Sequence, residues 1–196
     1  VQVFFPAEAG SAVYLSDRAL RGTDKVVALV IDKQPRKQFL TKDEAKELGE
    51  TGALVFDFAS TVKKGEKPDV VLAACGGYHT DEVLAASQIL KAFNAKLEGQ
   101  GKKGIGVQVV NVAEPFKLRA KEGEGNLVMA ALRATGRAAP EAPDPTVFDD
   151  ASFDKLFPKG APVVMSFGGF KRTMDGLWQG RDRVVSNHGY INQGTT

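Results

Sequence analysis

The chain is poor in the residues that usually announce a small extracellular domain or a metal centre. It holds one cysteine, Cys75, among 196 residues, which rules out an internal disulfide framework and a cysteine zinc cluster. It has two histidines, His79 and His188, far apart in sequence, and no Ser or Cys arrangement beside them that suggests a triad. No charge of either sign is in large excess: the net charge is +2, which leaves no footprint for nucleic acid or an anionic membrane. Long apolar runs are missing too; "VVLAAC" is too short to span a bilayer. No basic start leads into an apolar stretch, so no signal peptide is read, and a cytoplasmic setting is expected. The chain opens on "VQVFF" without methionine and closes on "HGYINQGTT" with no helix stop. Those ends fit processed termini and, at least as well, a piece of something longer.

What is present alternates. "VQVFF", "KVVALVID", "ALVFDFAS", "PDVVLAAC", "GVQVVNV", "APVVMSF" and "RVVS" read as strands. Most are continuously apolar, the mark of strands covered on both faces of a mainly parallel α/β sheet. "SAVYLSDRALRG" reads as a helix with Ser11 as N-cap and Gly22 as C-cap. "TKDEAKEL" carries a capping box, Thr41 with Glu44. A long helix with Thr80 as N-cap is predicted to cover the sheet through Val83, Ala86, Leu90 and Phe93, spaced by three and four. Residues 119–147 break the pattern with "EGEG", a short helix "NLVMAALRATG" and three prolines in "APEAPDPTVF", and read as a surface excursion. The polar stretch 36–52 separates two apolar blocks and reads as a linker.

Few residues point to chemistry. "AACGGYHTDE" is a strand, a glycine turn and a helix start, where backbone N–H groups attract anions. Gly76, Gly77 and Thr80 are therefore a candidate anion site, although every open α/β sheet has such turns. "GIGVQV" leads into a strand and is no dinucleotide fingerprint. Cys75 fits a small hydrophobe at a strand end. No metal constellation is visible. Lys33 stands where "VVALVI" ends, and ligands of parallel sheets gather at carboxyl ends of strands. Pro35 keeps that strand from continuing as a central one. A phosphate contact and a solvated or salt-bridged lysine both fit Lys33 at this level.

The order of segments "DKQPRKQFLTKDEA", "GALVFDFAS", "PDVVLAACGGYHTDEVLAASQILK", "VQVVNVAEPFKL", "FDKLFPKGAPVVMSF" and "GYINQGTT" resembles the C-terminal portion of phosphoketolases, throughout the chain except 119–147. The resemblance implies an enzyme dependent on thiamine diphosphate and Mg²⁺, which cleaves xylulose 5-phosphate, often also fructose 6-phosphate, with inorganic phosphate. The products would be acetyl phosphate and an aldose phosphate. It implies residues 1–35 as the last β-α-β piece of a pyrimidine-binding middle domain, 36–52 as linker, and 53–196 as a transketolase-like C-terminal domain with an insertion near 119–147. The groups that hold and activate the cofactor are implied to lie outside this chain, which would then bind no cofactor and hold no catalytic residue itself. Its partners would be the other domains of the same enzyme, in at least a dimer. Lys33 in "DKQP" matches the family's phosphate-contacting lysine. Besides the insertion, the sequence departs from the family at two motifs. "FFPAEAG" stands for a Pro-Pro-Asp-Ala-Asn run, and "SFGGFK" for His-Gly-Tyr-Pro, which puts Gly168 at the histidine position. The family's ending also continues past "GTT". The rival readings are a free-standing module binding a nucleotide or other anionic effector, and a purely structural subunit-contact domain.

Overall fold

Two apolar cores, one on each face of a central sheet, organise the computed structural model of the chain. It describes residues 1–23, 25–63, 65–120, 131–132, 134–137 and 146–190. Five strands hydrogen-bond in the order β3-β5-β4-β6-β7: Ala53–Val55 (β3), Val107–Val112 (β5), Val70–Cys75 (β4), Val163–Phe170 (β6) and Val185–Tyr190 (β7). All neighbours are parallel except β3, which runs antiparallel to β5 at the edge. β4 and β5 are buried on both faces, as expected, whereas β6 alternates buried with half-buried residues. In β4, Val71, Ala73 and Cys75 join one core with Phe153, Phe157 and Trp178, while Leu72 and Ala74 join the other with Phe4, Leu15 and Phe56.

A separate parallel pair, Gln2–Phe4 (β1) and Val27–Leu29 (β2), is joined by the helix Ala9–Arg21 (α1). Phe4 and Leu15 from this unit are fully buried against the main sheet's core. The run "VVALVI" reads as a strand covered on both faces, but β2 is not one: Ala28 is exposed, and Val26 and Ile31 are 70% and 66% exposed. Among the described residues nothing covers its outer face.

The caps correct two sequence expectations. The N-cap of α1 is Glu8, not Ser11; the Glu8 carboxylate accepts from the backbone N–H of Gly10 and Ser11, and the Ser11 hydroxyl accepts from the Glu8 N–H. The same reciprocal box forms with its two members exchanged. The long helix after β4 is Gly77–Gly99 (α3), with Gly76 as N-cap; Thr80 already lies in its first turn. Its predicted face holds as far as Leu90: Val83 is buried, and Ala86 and Leu90 pack on the core. Phe93 is 47% exposed, because the next turn faces the sheet through Asn94, whose amide clasps both the N–H and the C=O of Ile105.

The stretch 36–52, expected as a linker, holds the helix Lys42–Thr51 (α2) with the predicted Thr41–Glu44 box. Ala45 and Leu48 of this helix are buried, and Gly49 lies against Tyr14 of α1. Two short helices, Asp150–Leu156 (α4) and Lys171–Leu177 (α5), supply Phe153, Leu156, Met174 and Leu177 to the core opposite α3. Most of the expected excursion and its short helix, and the ending "INQGTT", lie outside the described residues. No helix among the described residues is long and apolar enough to cross a membrane.

Candidate functional site

The topology itself marks a crevice. From the central strand β4 the chain passes into α3 on one face, whereas from its neighbour β6 it passes into α5 on the other. Two adjacent parallel strands whose connections leave on opposite faces define a switch point, where open α/β sheets form ligand crevices at the carboxyl ends.

His79, in the first turn of α3, reaches across this point to β6. Its Nδ1 lies 2.8 Å from Ser166 Oγ, with the tautomer set by whichever partner donates. The other ring nitrogen, Nε2, faces Gly168, where an added Cβ would stand only 3.1 Å from it. The bare backbone at Gly168 therefore makes room for the imidazole. Tyr78 packs edge-on against His79, with ring centroids 5.4 Å apart. Burial holds the His79 pKa below the usual histidine value, aided by Arg36 and opposed by Asp32 and Glu82. A neutral imidazole at neutral pH can accept a proton or donate one hydrogen bond.

The second group is ionic. Arg36 donates from Nε to Asp32 Oδ2 (3.0 Å) and from Nη1 to Asp81 Oδ2 on α3 (2.8 Å), and its guanidinium lies 5.4 Å above the Tyr78 ring. The Asp32 carboxylate sits directly against Gly77, leaving no space for a Cβ there. A carboxylate from the chain itself thus takes the favourable position at the positive end of α3. Beside it a cavity of about 230 Å³ opens between the start of α1 and the 31–36 loop.

The sequence-predicted residues fare differently. Thr80 is buried and turned inward; its hydroxyl donates to the Gly76 carbonyl and accepts from Asn111 Nδ2. An anion approaching Gly76 and Gly77 meets Asp32, and Thr80 faces the interior. Lys33 is exposed on the loop after β2 and has no hydrogen bond or ion pair among the described residues. Cys75 is fully buried and its thiol pKa is pushed well up, which fits a small hydrophobe. His188 lies exposed on β7, 3.1 Å from Ser186 Oγ and beside Ser166 in the β6–β7 register, the residue that His79 meets from the other side. Among the described residues no three His, Cys, Asp or Glu side chains converge to hold a metal ion. Ser166, Arg36 and Asp81 were not legible as partners.

The architecture belongs to a known class. A transketolase from Leishmania mexicana superposes over 96% of this chain and 20% of its own, with a TM-score of 0.52 at 18% identity, and a Pichia stipitis transketolase mutant over 95% and 20%, at 0.51 and 17%. At that identity the likeness defines the fold: an α/β unit with the mainly parallel sheet of transketolases. Within that class the chain belongs to the XFP C-terminal domain family, matched over residues 33–131 and 136–196, and corresponds to a C-terminal portion of phosphoketolases. It is 33% identical over 196 residues to a probable phosphoketolase of Clostridium acetobutylicum, covering all of this chain and 21% of the relative. It is 31% identical over 195 residues to a xylulose-5-phosphate phosphoketolase of Lactiplantibacillus pentosus, covering 99% of this chain and 21% of that one. The chain thus spans about a fifth of the curated relatives it matches.

Proposed function

We propose that the chain works as the C-terminal portion of a thiamine diphosphate-dependent phosphoketolase. That enzyme cleaves xylulose 5-phosphate with inorganic phosphate, releasing acetyl phosphate, an aldose phosphate and water. Fructose 6-phosphate is the second sugar to test. The observation that carries this reading is family membership along the chain, with identity near 30% to relatives named phosphoketolases. In this reading residues 1–35 close a middle, pyrimidine-binding domain, which their separate two-stranded sheet supports. Residues 53–196 form the C-terminal domain, and the setting is the cytoplasm.

Thiamine diphosphate and Mg²⁺ are proposed for the whole enzyme, in at least a dimer. The described residues offer no site for its metal ion. No metal-ligating group converges among the described ones, and the carboxylates at the switch point, Asp32 and Asp81, are tied to Arg36. No chemical step on the cofactor is therefore assigned to them. The contribution proposed for this chain is Lys33, an exposed, unpaired ammonium at the carboxyl end of β2, offered to a substrate phosphate. Expression of the complete enzyme, followed by assay of acetyl phosphate from each sugar phosphate with inorganic phosphate, tests the reading. A complete, cofactor-loaded enzyme that forms none from either sugar refutes it.

A further inference from the structure

We propose that Arg36 is the positioning residue for Lys33: with Asp32, Asp81 and Gly77 it clamps the 32–36 loop to α3 and keeps the Lys33 ammonium unpaired. This rests on the reading of Lys33 as a phosphate contact and adds how the fold aims it.

Among the described residues Lys33 has no hydrogen bond or ion pair to hold its exposed side chain, so its backbone must set its position. That backbone is pinned on both sides. On one side the Asp32 carboxylate is seated on Gly77, where there is no room for a side chain. On the other, Arg36 bonds Asp32 at 3.0 Å and Asp81 at 2.8 Å while lying over Tyr78. The clamp is part-buried, with 22% of the Arg36 side chain and 31% of the Asp32 side chain exposed. Pro35, between Lys33 and Arg36, fixes one backbone dihedral of the loop. Only Lys33, Gln34 and Pro35 lie between the pins, and all three are exposed.

The clamp also controls charge. Asp32 precedes Lys33 directly and would be its nearest carboxylate partner. Arg36 engages Asp32 and Asp81 together, from two nitrogens of one planar fork. A lysine at position 36 presents a single point charge and cannot hold the same two-carboxylate geometry. With Arg36 in place Lys33 stays free for an external anion; without it, two released carboxylates compete for that ammonium.

The test uses the complete enzyme in a double-mutant cycle of Lys33→Ala and Arg36→Ala, with sugar phosphate and inorganic phosphate varied separately. Arg36→Ala should lower kcat/KM for the same substrate that Lys33→Ala affects, by about tenfold to a hundredfold, the scale for a misplaced contact. Arg36→Lys should restore little of it. The double variant should be no worse than Lys33→Ala alone, because no lysine remains to position. A merely structural role for Arg36 gives additive losses and overturns the proposal. Wild-type kinetics for Arg36→Ala beside an impaired Lys33→Ala overturns the clamp and leaves the Lys33 reading standing. Wild-type kinetics for Lys33→Ala removes both. If Arg36→Ala fails to fold, Asp81→Asn loosens one end of the clamp, and the same cycle applies to it.

Discussion

Replacing Gly52 by alanine tests how tightly α2 is joined to the main sheet. Gly52 ends α2 with φ +89°, and its N–H donates to the Leu48 carbonyl. Its own carbonyl accepts from the N–H groups of Ala113 and Glu114, both at 2.9 Å, so the backbone is held from both sides. An added Cβ would stand 2.9 Å from Glu114 Cβ, 3.0 Å from Glu114 Oε2 and 3.2 Å from Lys117 Cδ. Glu114 cannot swing aside freely, since it is buried and bonded to Gln2 Nε2 and Arg18 Nη1. The left-handed backbone costs about 1–2 kcal/mol for alanine. Overpacking against a fixed neighbour adds about 1–3 kcal/mol. The reduced freedom of the unfolded chain returns up to about 1 kcal/mol. The net loss is about 1–5 kcal/mol, or roughly 2–20 °C in Tm at 2–4 °C per kcal/mol for a chain of this size. Gly101→Ala supplies the control, because it shares the left-handed backbone (φ +72°) but has nothing within 4 Å. It should lose only the conformational part, about 0–2 kcal/mol. Thermal unfolding of the two purified variants by circular dichroism decides. Equal drops in Tm would show that the contact with Glu114 costs nothing, and the packing argument would be wrong.

Three further outcomes are expected. The His79 pKa is lowered in the fold, so the neutral ring is favoured there; stability from this group is complete above the unfolded value of about 6.5 and declines as pH falls below it, levelling off below the folded pKa. His79→Asn should therefore show a smaller loss of Tm between pH 7.5 and 5.5 than the parent, and identical losses would remove His79 as the cause. The isolated chain, supplied with thiamine diphosphate, Mg²⁺, xylulose 5-phosphate and phosphate, should form no acetyl phosphate, and product in that assay would place the chemistry here. In the complete enzyme Lys33→Ala and Lys33→Met should each reduce turnover on the order of a hundredfold, the scale for one electrostatic donor, with thiamine diphosphate affinity unchanged by calorimetry. Loss of cofactor binding in these variants would assign Lys33 a different role.

Sequence by itself determined what depends on local pattern. The continuous apolar run of β4 specifies a strand buried on both faces, because alternation would have left one face polar. The Thr41–Glu44 box and the Val83, Ala86, Leu90 face of α3 follow from spacing along one helix. The segment order from "DKQP" onward carried the family resemblance. Tertiary structure decided everything that rests on residues meeting from afar. His79 finds Ser166 across 87 positions and Arg36 finds Asp81 across 45, through the parallel packing of β4 beside β6 and the return of the 32–36 loop onto α3. Thr80 looked like a cap with a hydroxyl free for an anion. The cap is Gly76, four residues earlier, and that turn of backbone directs the hydroxyl inward to Asn111. The same holds for β2, whose apolar sequence reads as covered, while its exposure depends on which surfaces are packed against it. Periodicity specifies which face of an element is apolar; only the assembled chain determines what that face meets.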